Sequence, residues 1–214
     1  MDAIKSTGRF AKRVKYIFIV GAPGSKWSSV AKNIYHSADI DSSDSSLIRT
    51  YNNSDHVNHA GAYFDPGMEF GNNFDCIDQY SRTYNEIEFN KPFTGTGIRI
   101  IKSHCLSNHI DYLKQSWADC PIILVYRDND VCLGWWVRAG GFDITYPDYK
   151  PYYQNYQKMA QYIDQQNLGI TNAWNKYNGI EVANNHELTT LLGIDKVDTY
   201  QDYIEADIKV KIIL

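Results

Sequence analysis

Residues 14–29 read Val14-Lys15-Tyr16-Ile17-Phe18-Ile19-Val20 and continue directly into Gly21-Ala22-Pro23-Gly24-Ser25-Lys26-Trp27-Ser28-Ser29. The first seven residues form an apolar run that predicts a β-strand. The glycine-rich turn after it carries a lysine and leads into a predicted helix from Ser28 to about His36. Such a turn directs backbone N–H groups into one concavity at the positive end of a helix dipole, so the sequence predicts a phosphate-binding loop.

The loop departs from the complete Walker pattern, which requires Gly-Lys immediately before a Ser or Thr. Lys26 and Trp27 occupy those two places before Ser28. Gly21 and Gly24 still permit positive φ and close backbone approach. We therefore predict an anion loop rather than an ordinary ATPase loop, with a ligand-free turn as the alternative. The predicted binding residues of the loop are Gly21, Pro23, Gly24, Ser25, Lys26, Trp27, Ser28 and Ser29.

Length and composition predict one domain spanning residues 1–214. A net charge of −4 gives no support for binding to nucleic acid or to an anionic membrane, and no apolar run approaches the length of a membrane span. The four cysteines have no CxxC spacing and follow no secretion signal. We therefore expect reduced thiols and a cytoplasmic protein.

No metal is expected. His56 and His59 are two potential ligands without neighbouring cysteines or a clear third ligand. Asp39, Asp41 and Asp44 lie in a serine-rich stretch without the glycine and distal glutamate of a calcium loop, so a solvated loop is the favoured interpretation.

Two further β-type runs, 98–102 and 121–126, alternate with predicted helices along the chain. The second run is continuously apolar, as expected of a strand buried on both faces of a parallel sheet. The predicted helices cover 108–117, 149–167, 185–192 and 199–206. Together these elements predict an α/β protein with a three-layer P-loop-type fold, in which a central, mainly parallel sheet is flanked by helices.

Three chemistry-bearing segments follow the three predicted strands at their carboxyl ends, where open α/β sheets bind ligands. The first is the loop, the second is Lys102-Ser103-His104, and the third is Arg127-Asp128-Asn129-Asp130-Val131. Their order and rough spacing over about residues 14–140 resemble the sulfotransferase family, whose corresponding motifs read Pro-Lys-Ser-Gly-Thr-Thr-Trp, Lys-Thr-His and Arg-Asn-Pro/Ala-Lys-Asp-Val. The loop lysine is displaced by two positions here, and the late Arg-Lys-Gly segment of the family has no evident counterpart.

The resemblance implies transfer of a sulfuryl group from 3′-phosphoadenosine-5′-phosphosulfate (PAPS) to a hydroxyl or amine of a small-molecule or carbohydrate acceptor. By that resemblance His104 is the base that deprotonates the acceptor, and Lys102 and Lys26 stabilise the charge of the transferring group. Arg127 binds the 3′-phosphate, and Arg138 is a further candidate, each with a surface ion pair as its alternative. Trp27 packs either on adenine or in the core.

Two other classes remain open. A small-molecule or nucleotide kinase is one, because Gly-Ala-Pro-Gly-Ser also opens nucleotide-kinase loops and Asp128 follows an apolar strand where an acid that holds magnesium stands. The other is a non-catalytic nucleotide-binding relative that kept the fold and lost the donor site.

Overall fold

A mixed five-stranded sheet forms the centre of the computed structural model, which describes residues 14–45, 60–143, 153–195 and 202–214. Its strands are β1 (Tyr16–Gly21), β2 (Arg99–Lys102), β3 (Ile122–Tyr126), β4 (Ile180–Val182) and β5 (Lys209–Ile213), in the spatial order β2-β1-β3-β5-β4. The three strands predicted from the sequence are the three at one side of this sheet.

The sheet is only partly parallel. β1 pairs in parallel with β2 and β3, whereas β5 runs antiparallel to both β3 and β4. The prediction of a mainly parallel sheet is therefore wrong. The prediction did not include the C-terminal strand, in which Val210 and Ile212 alternate with lysines and which runs antiparallel to β3.

Helices cover both faces of the sheet because the side chains of β1 alternate between two apolar clusters. One face packs against α2 (Arg82–Asn90), α3 (Ile110–Ser116) and α5 (Tyr156–Lys176). The other packs against α1 (Trp27–Tyr35) and α6 (Asn185–Leu192). The remaining helix, α4 (Asn129–Arg138), packs against α5 through a smaller apolar cluster. Three 3₁₀ turns complete the described elements: Phe74–Gln79, Cys105–Asn108 and Gly141–Asp143.

Most predicted helices occur with shifted ends. α1 and α6 agree with prediction to within one residue, whereas α3 starts two residues late because a 3₁₀ turn precedes it. The predicted helix over 149–167 differs in its bounds, since α5 begins at Tyr156 after the N-cap Asn155, whose side chain accepts a hydrogen bond from the backbone N–H of Lys158, and continues to Lys176. Residues 149–152 lie outside the described residues. Residues 202–206 are not helical, and 199–201 lie outside the described residues.

Within the described ranges, no helix combines the length and the apolarity that crossing a membrane requires. All four cysteines are free: Cys105, Cys120 and Cys132 are buried, and Cys76 is partly exposed.

Candidate functional site

The three segments singled out from the sequence meet at one edge of the sheet. Because β1, β2 and β3 are parallel, with Ile19 opposite Lys102 and Gly21 opposite Val125, their carboxyl ends lie side by side. Ser103 donates its backbone N–H to Ile19 (3.2 Å), which joins the second segment to the end of β1. The predicted meeting of the three motifs is therefore confirmed.

The loop after β1 is a tight turn that depends on both of its glycines. A Cβ at Gly21 would lie 2.5 Å from Trp27 Cβ and 2.6 Å from Ser25 Oγ, so the turn folds directly over this residue. Gly24 has φ +81°, and its Cβ would lie 2.0 Å from the backbone oxygen of Cys132. The loop is thus pressed against the first turns of α4 and tolerates no side chain at either position.

The loop leads into α1 through Lys26, whose own backbone is left-handed (φ 62°, ψ 18°). Ser25 donates its N–H to Ala22 (3.0 Å) and closes the turn, while Ser29 donates to Lys26 (2.8 Å) and opens the helix. The Ser25 hydroxyl is fully buried and has no hydrogen-bond partner among the described residues. An unsatisfied buried hydroxyl is a group that a bound ligand or water satisfies.

Lys26 is held by an acidic side chain from the far end of the chain. Its Nζ lies 2.5 and 2.6 Å from the two carboxylate oxygens of Glu205 and 4.2 Å from the ring centroid of Trp135 in α4. The lysine predicted to bind an anion therefore binds one, supplied by the protein itself.

Arg127, which follows β3, is held in the same way. Its Nε and Nη2 donate to Asp207 Oδ2 over 2.9 and 2.5 Å, and its Nη1 donates to the carbonyl oxygen of Gly24 over 3.2 Å. The hydrogen bonds from Arg127 hold the pKa of the Asp207 carboxyl below its usual value. Arg127 and Lys26 also share Trp135, whose ring lies 5.5 Å from the Arg127 guanidinium.

Lys102 and Trp27 are both buried in the interior. Lys102 is 1% exposed, and its Nζ donates to the carbonyl oxygen of Ala60. Trp27 packs at 5.0 Å from Tyr63 and 6.3 Å from His104, measured between ring centroids. Of the two roles predicted for Trp27, the core position is the one that this packing supports.

His104 lies in a buried polar group. Its Nε2 is 3.2 Å from Asp65 Oδ2, an ion-pair distance without hydrogen-bond geometry, and 3.4 Å from the Tyr153 hydroxyl. Its Nδ1 is 3.1 Å from Gln166 Nε2. An amide nitrogen is always a donor, so Nδ1 accepts and the neutral ring carries its proton on Nε2. Burial lowers the pKa of His104, and the Asp65 carboxylate opposes that shift.

Aromatic rings surround His104. The ring centroids of Tyr63, Tyr153 and Tyr162 lie 5.7, 6.4 and 5.6 Å from its own. For His104 to take a proton from an acceptor, that acceptor has to replace one of the present partners of a ring nitrogen.

Asp65, His104 and Cys105 are close enough to be considered as metal ligands. However, the carboxylate of Asp65 faces Nε2 of the imidazole, whereas Cys105 Sγ is 3.8 Å from Nδ1. One ligand atom from each of the three residues nevertheless lies within 4.8 Å of the other two, so the three side chains form a buried candidate ligand set. Burial raises the pKa of the Cys105 thiol well above its usual value, so without a metal this side chain is a neutral thiol.

Among the described residues, the weaker candidates from the sequence do not come together in a site. Asp41 and Asp44 are buried and accept hydrogen bonds from Ser43 and Tyr35 respectively, so the expectation of a solvated loop is wrong for these two.

Asp128 accepts a hydrogen bond from the Tyr126 hydroxyl over 3.2 Å. Arg138 is exposed and lies 5.6 Å from the Trp135 ring centroid. The histidines at 56 and 59 lie outside the described residues.

Sequence reasoning missed the residues that hold the site together. Asp65 and Gln166 contact His104 from distant segments, and no local pattern marks either one. Glu205 and Asp207 left a signal, because an acidic segment precedes Lys209-Val210-Lys211-Ile212, whose alternation predicts a strand. A strand beside β3 would have brought these acids to the predicted site.

Comparison with known proteins gave no match, whether to a family model, to a curated protein or to a solved structure.

Proposed function

We propose that this protein is a sulfotransferase with a P-loop-type fold, which binds PAPS and transfers its sulfuryl group to a hydroxyl or amine of a small-molecule or carbohydrate acceptor. One observation carries the proposal: Lys26 and Arg127, from two separate motifs at one sheet edge, each bind an oxyanion. Two separate anion positions fit a 3′,5′-bisphosphate better than the single track of a triphosphate.

The residues present suit such a ligand. Lys26, the loop amides and the Ser25 hydroxyl would hold the 5′ group, and Arg127 would hold the 3′-phosphate. PAPS supplies an activated sulfuryl group to this arrangement. The protein contributes positive charge beside that group, which favours a transition state with negative charge on transferring and leaving oxygens.

His104 is the proposed base, and Lys102 the second cation of the chemistry. With its proton on Nε2, His104 has its Nδ1 lone pair as the proton acceptor, at the position where Gln166 now donates. An acceptor hydroxyl that replaces the Gln166 amide would meet this lone pair. The cytoplasmic location belongs to the same proposal and is favoured by four free cysteines.

A thermal-shift experiment tests the donor class. Adenosine 3′,5′-bisphosphate is expected to raise the melting temperature without magnesium, because it binds the native state. ATP with magnesium is the arm for the kinase alternative, and a shift with that arm alone would replace the sulfotransferase proposal. A response to neither ligand would favour the non-catalytic relative.

A further inference from the structure

The two cations assigned to the donor are bound by one short segment, 202–208, which connects to β5. Glu205 of this segment contacts Lys26, and Asp207 contacts Arg127. Glu205 and Asp207, on either side of Ala206, are therefore placed to reach two cations that follow two different strands. Each predicted phosphate position holds a carboxylate.

The segment is also anchored at both of its ends, apart from these two acids. Asp202 accepts hydrogen bonds from the backbone N–H of Asn185 (2.7 Å) and from the side chain of Asn33 (3.4 Å). Asn33 in turn accepts from the backbone N–H of Tyr203 (3.2 Å). At the other end, Ile208 is buried and β5 begins. A local movement between Asp202 and Ile208 would release both acids without unfolding the sheet.

The acids cover the cations from the solvent side. The side chains of Lys26 and Arg127 are 11% and 7% exposed, whereas those of Glu205 and Asp207 are 40% and 49% exposed. Carboxylates that keep much of their hydration are released at low cost, and the cations beneath them are then open to another anion. Because the carboxylates are exposed and the cations are buried, a ligand anion can replace each carboxylate at its cation.

We propose that Glu205 and Asp207 determine ligand specificity, each as an internal competitor for one phosphate: Glu205 for the 5′ group at Lys26 and Asp207 for the 3′-phosphate at Arg127. A ligand gains full affinity only if it replaces both carboxylates. This inference rests on the proposed function, since it uses the same assignment of the two cations.

The experiment compares adenosine 3′,5′-bisphosphate with adenosine 5′-phosphate by titration calorimetry on the full chain. Asp207→Asn is expected to tighten bisphosphate binding about two- to fivefold, the factor by which an exposed ion pair competes, and to leave 5′-phosphate binding unchanged. Glu205→Gln should tighten binding of both ligands by a similar factor. Glu181→Gln, which removes an exposed acid on β4, is the matched control and should change neither.

The outcomes separate the inference from the proposed function. If the wild type and all variants bind no bisphosphate, the proposed function fails and the inference falls with it. If the wild type binds bisphosphate but Asp207→Asn and Glu205→Gln bind it no more tightly, only the inference is overturned. Equal tightening of both ligands by Asp207→Asn would also overturn it, because Asp207 would then not be specific for the 3′ position.

Hydrogen exchange on the wild type gives a second test that does not depend on how the variants fold. Saturating bisphosphate is expected to speed exchange of the backbone amide of Ile208, which donates to the backbone carbonyl oxygen of Glu205 over 2.9 Å and so reports on the turn that carries both acids. Unchanged or slower exchange at this amide would show that the segment stays in place and would overturn the inference.

Discussion

Arg127 Nη1 donates a hydrogen bond to the carbonyl oxygen of Gly24 over 3.2 Å, and so ties the end of β3 to the loop after β1. The contact sets the spacing between the two proposed phosphate positions, because one lies in the loop and the other at the guanidinium. A guanidinium that is fixed by a backbone acceptor loses little freedom when its remaining donors bind an anion.

Arg127→Ala is expected to weaken binding of adenosine 3′,5′-bisphosphate by about 1.5–3 kcal/mol, the range for hydrogen bonds to charged groups. Titration calorimetry measures the change. Arg82→Ala, which removes an exposed arginine on α2, is the control and should leave the affinity as it was. An unchanged affinity for Arg127→Ala would assign Arg127 to a structural ion pair with Asp207.

Gly24→Ala is expected to destabilise the fold by about 1–3 kcal/mol, because positive φ strains an L-residue and the neighbouring Cys132 oxygen belongs to the backbone. Urea unfolding measures the loss. Gly134→Ala in α4 is the control. A Cβ added at this position has no neighbouring atom within 4 Å, and alanine at an exposed helix position should raise the free energy of unfolding by about 0.5–1 kcal/mol. Equal stability of the two variants would contradict the tight packing of the loop.

Asp65→Ala is expected to lower the free energy of unfolding by about 1–3 kcal/mol, because it leaves the buried Ser103 hydroxyl without its 2.8 Å acceptor and His104 without its carboxylate. Asp78→Ala removes a half-exposed partner of another histidine and should change stability by less than about 0.5 kcal/mol. Chemical denaturation of the two variants makes the comparison, and equal losses would argue against a structural role of the buried pair.

The burial of His104 is expected to make the free energy of unfolding depend on pH. The folded pKa of His104 is lowered by burial, so the unfolded state binds the proton more readily as the pH falls below 6.5, the ordinary pKa of histidine. Above that pH the neutral histidine makes its full contribution to the free energy of unfolding, and this contribution is lost as the pH falls toward the folded pKa. Unfolding free energies measured between pH 7.5 and 5.5 should therefore fall less steeply for His104→Gln than for the wild type. His186→Gln, at an exposed position, should keep the wild-type slope.

His104→Gln is also expected to separate binding from chemistry. If His104 is the base, bisphosphate affinity stays close to the wild-type value while sulfuryl transfer falls about 10²–10⁴-fold. Lys102→Ala should reduce both donor affinity and rate, since a cation beside the transferring group acts in the ground and transition states. A transfer screen with labelled donor supplies the acceptor, and full turnover by His104→Gln would remove the histidine from the chemistry.

β1, the loop and α1 could all be predicted from the sequence, because an unbroken apolar run, two glycines and a helix start are local signals. The sequence also predicted that three motifs follow three strands, and the parallel pairing of those strands then brought the motifs together. The residues that contact those motifs could not be predicted from the sequence and are seen in the tertiary structure alone. Glu205 reaches Lys26, and Asp65 reaches His104, because β5 returns along β3 and because residues 64 and 102 are joined by a backbone hydrogen bond. The alternation of residues 209–212 predicts a strand but not the strand with which it pairs, because pairing depends on residues that are distant in the sequence.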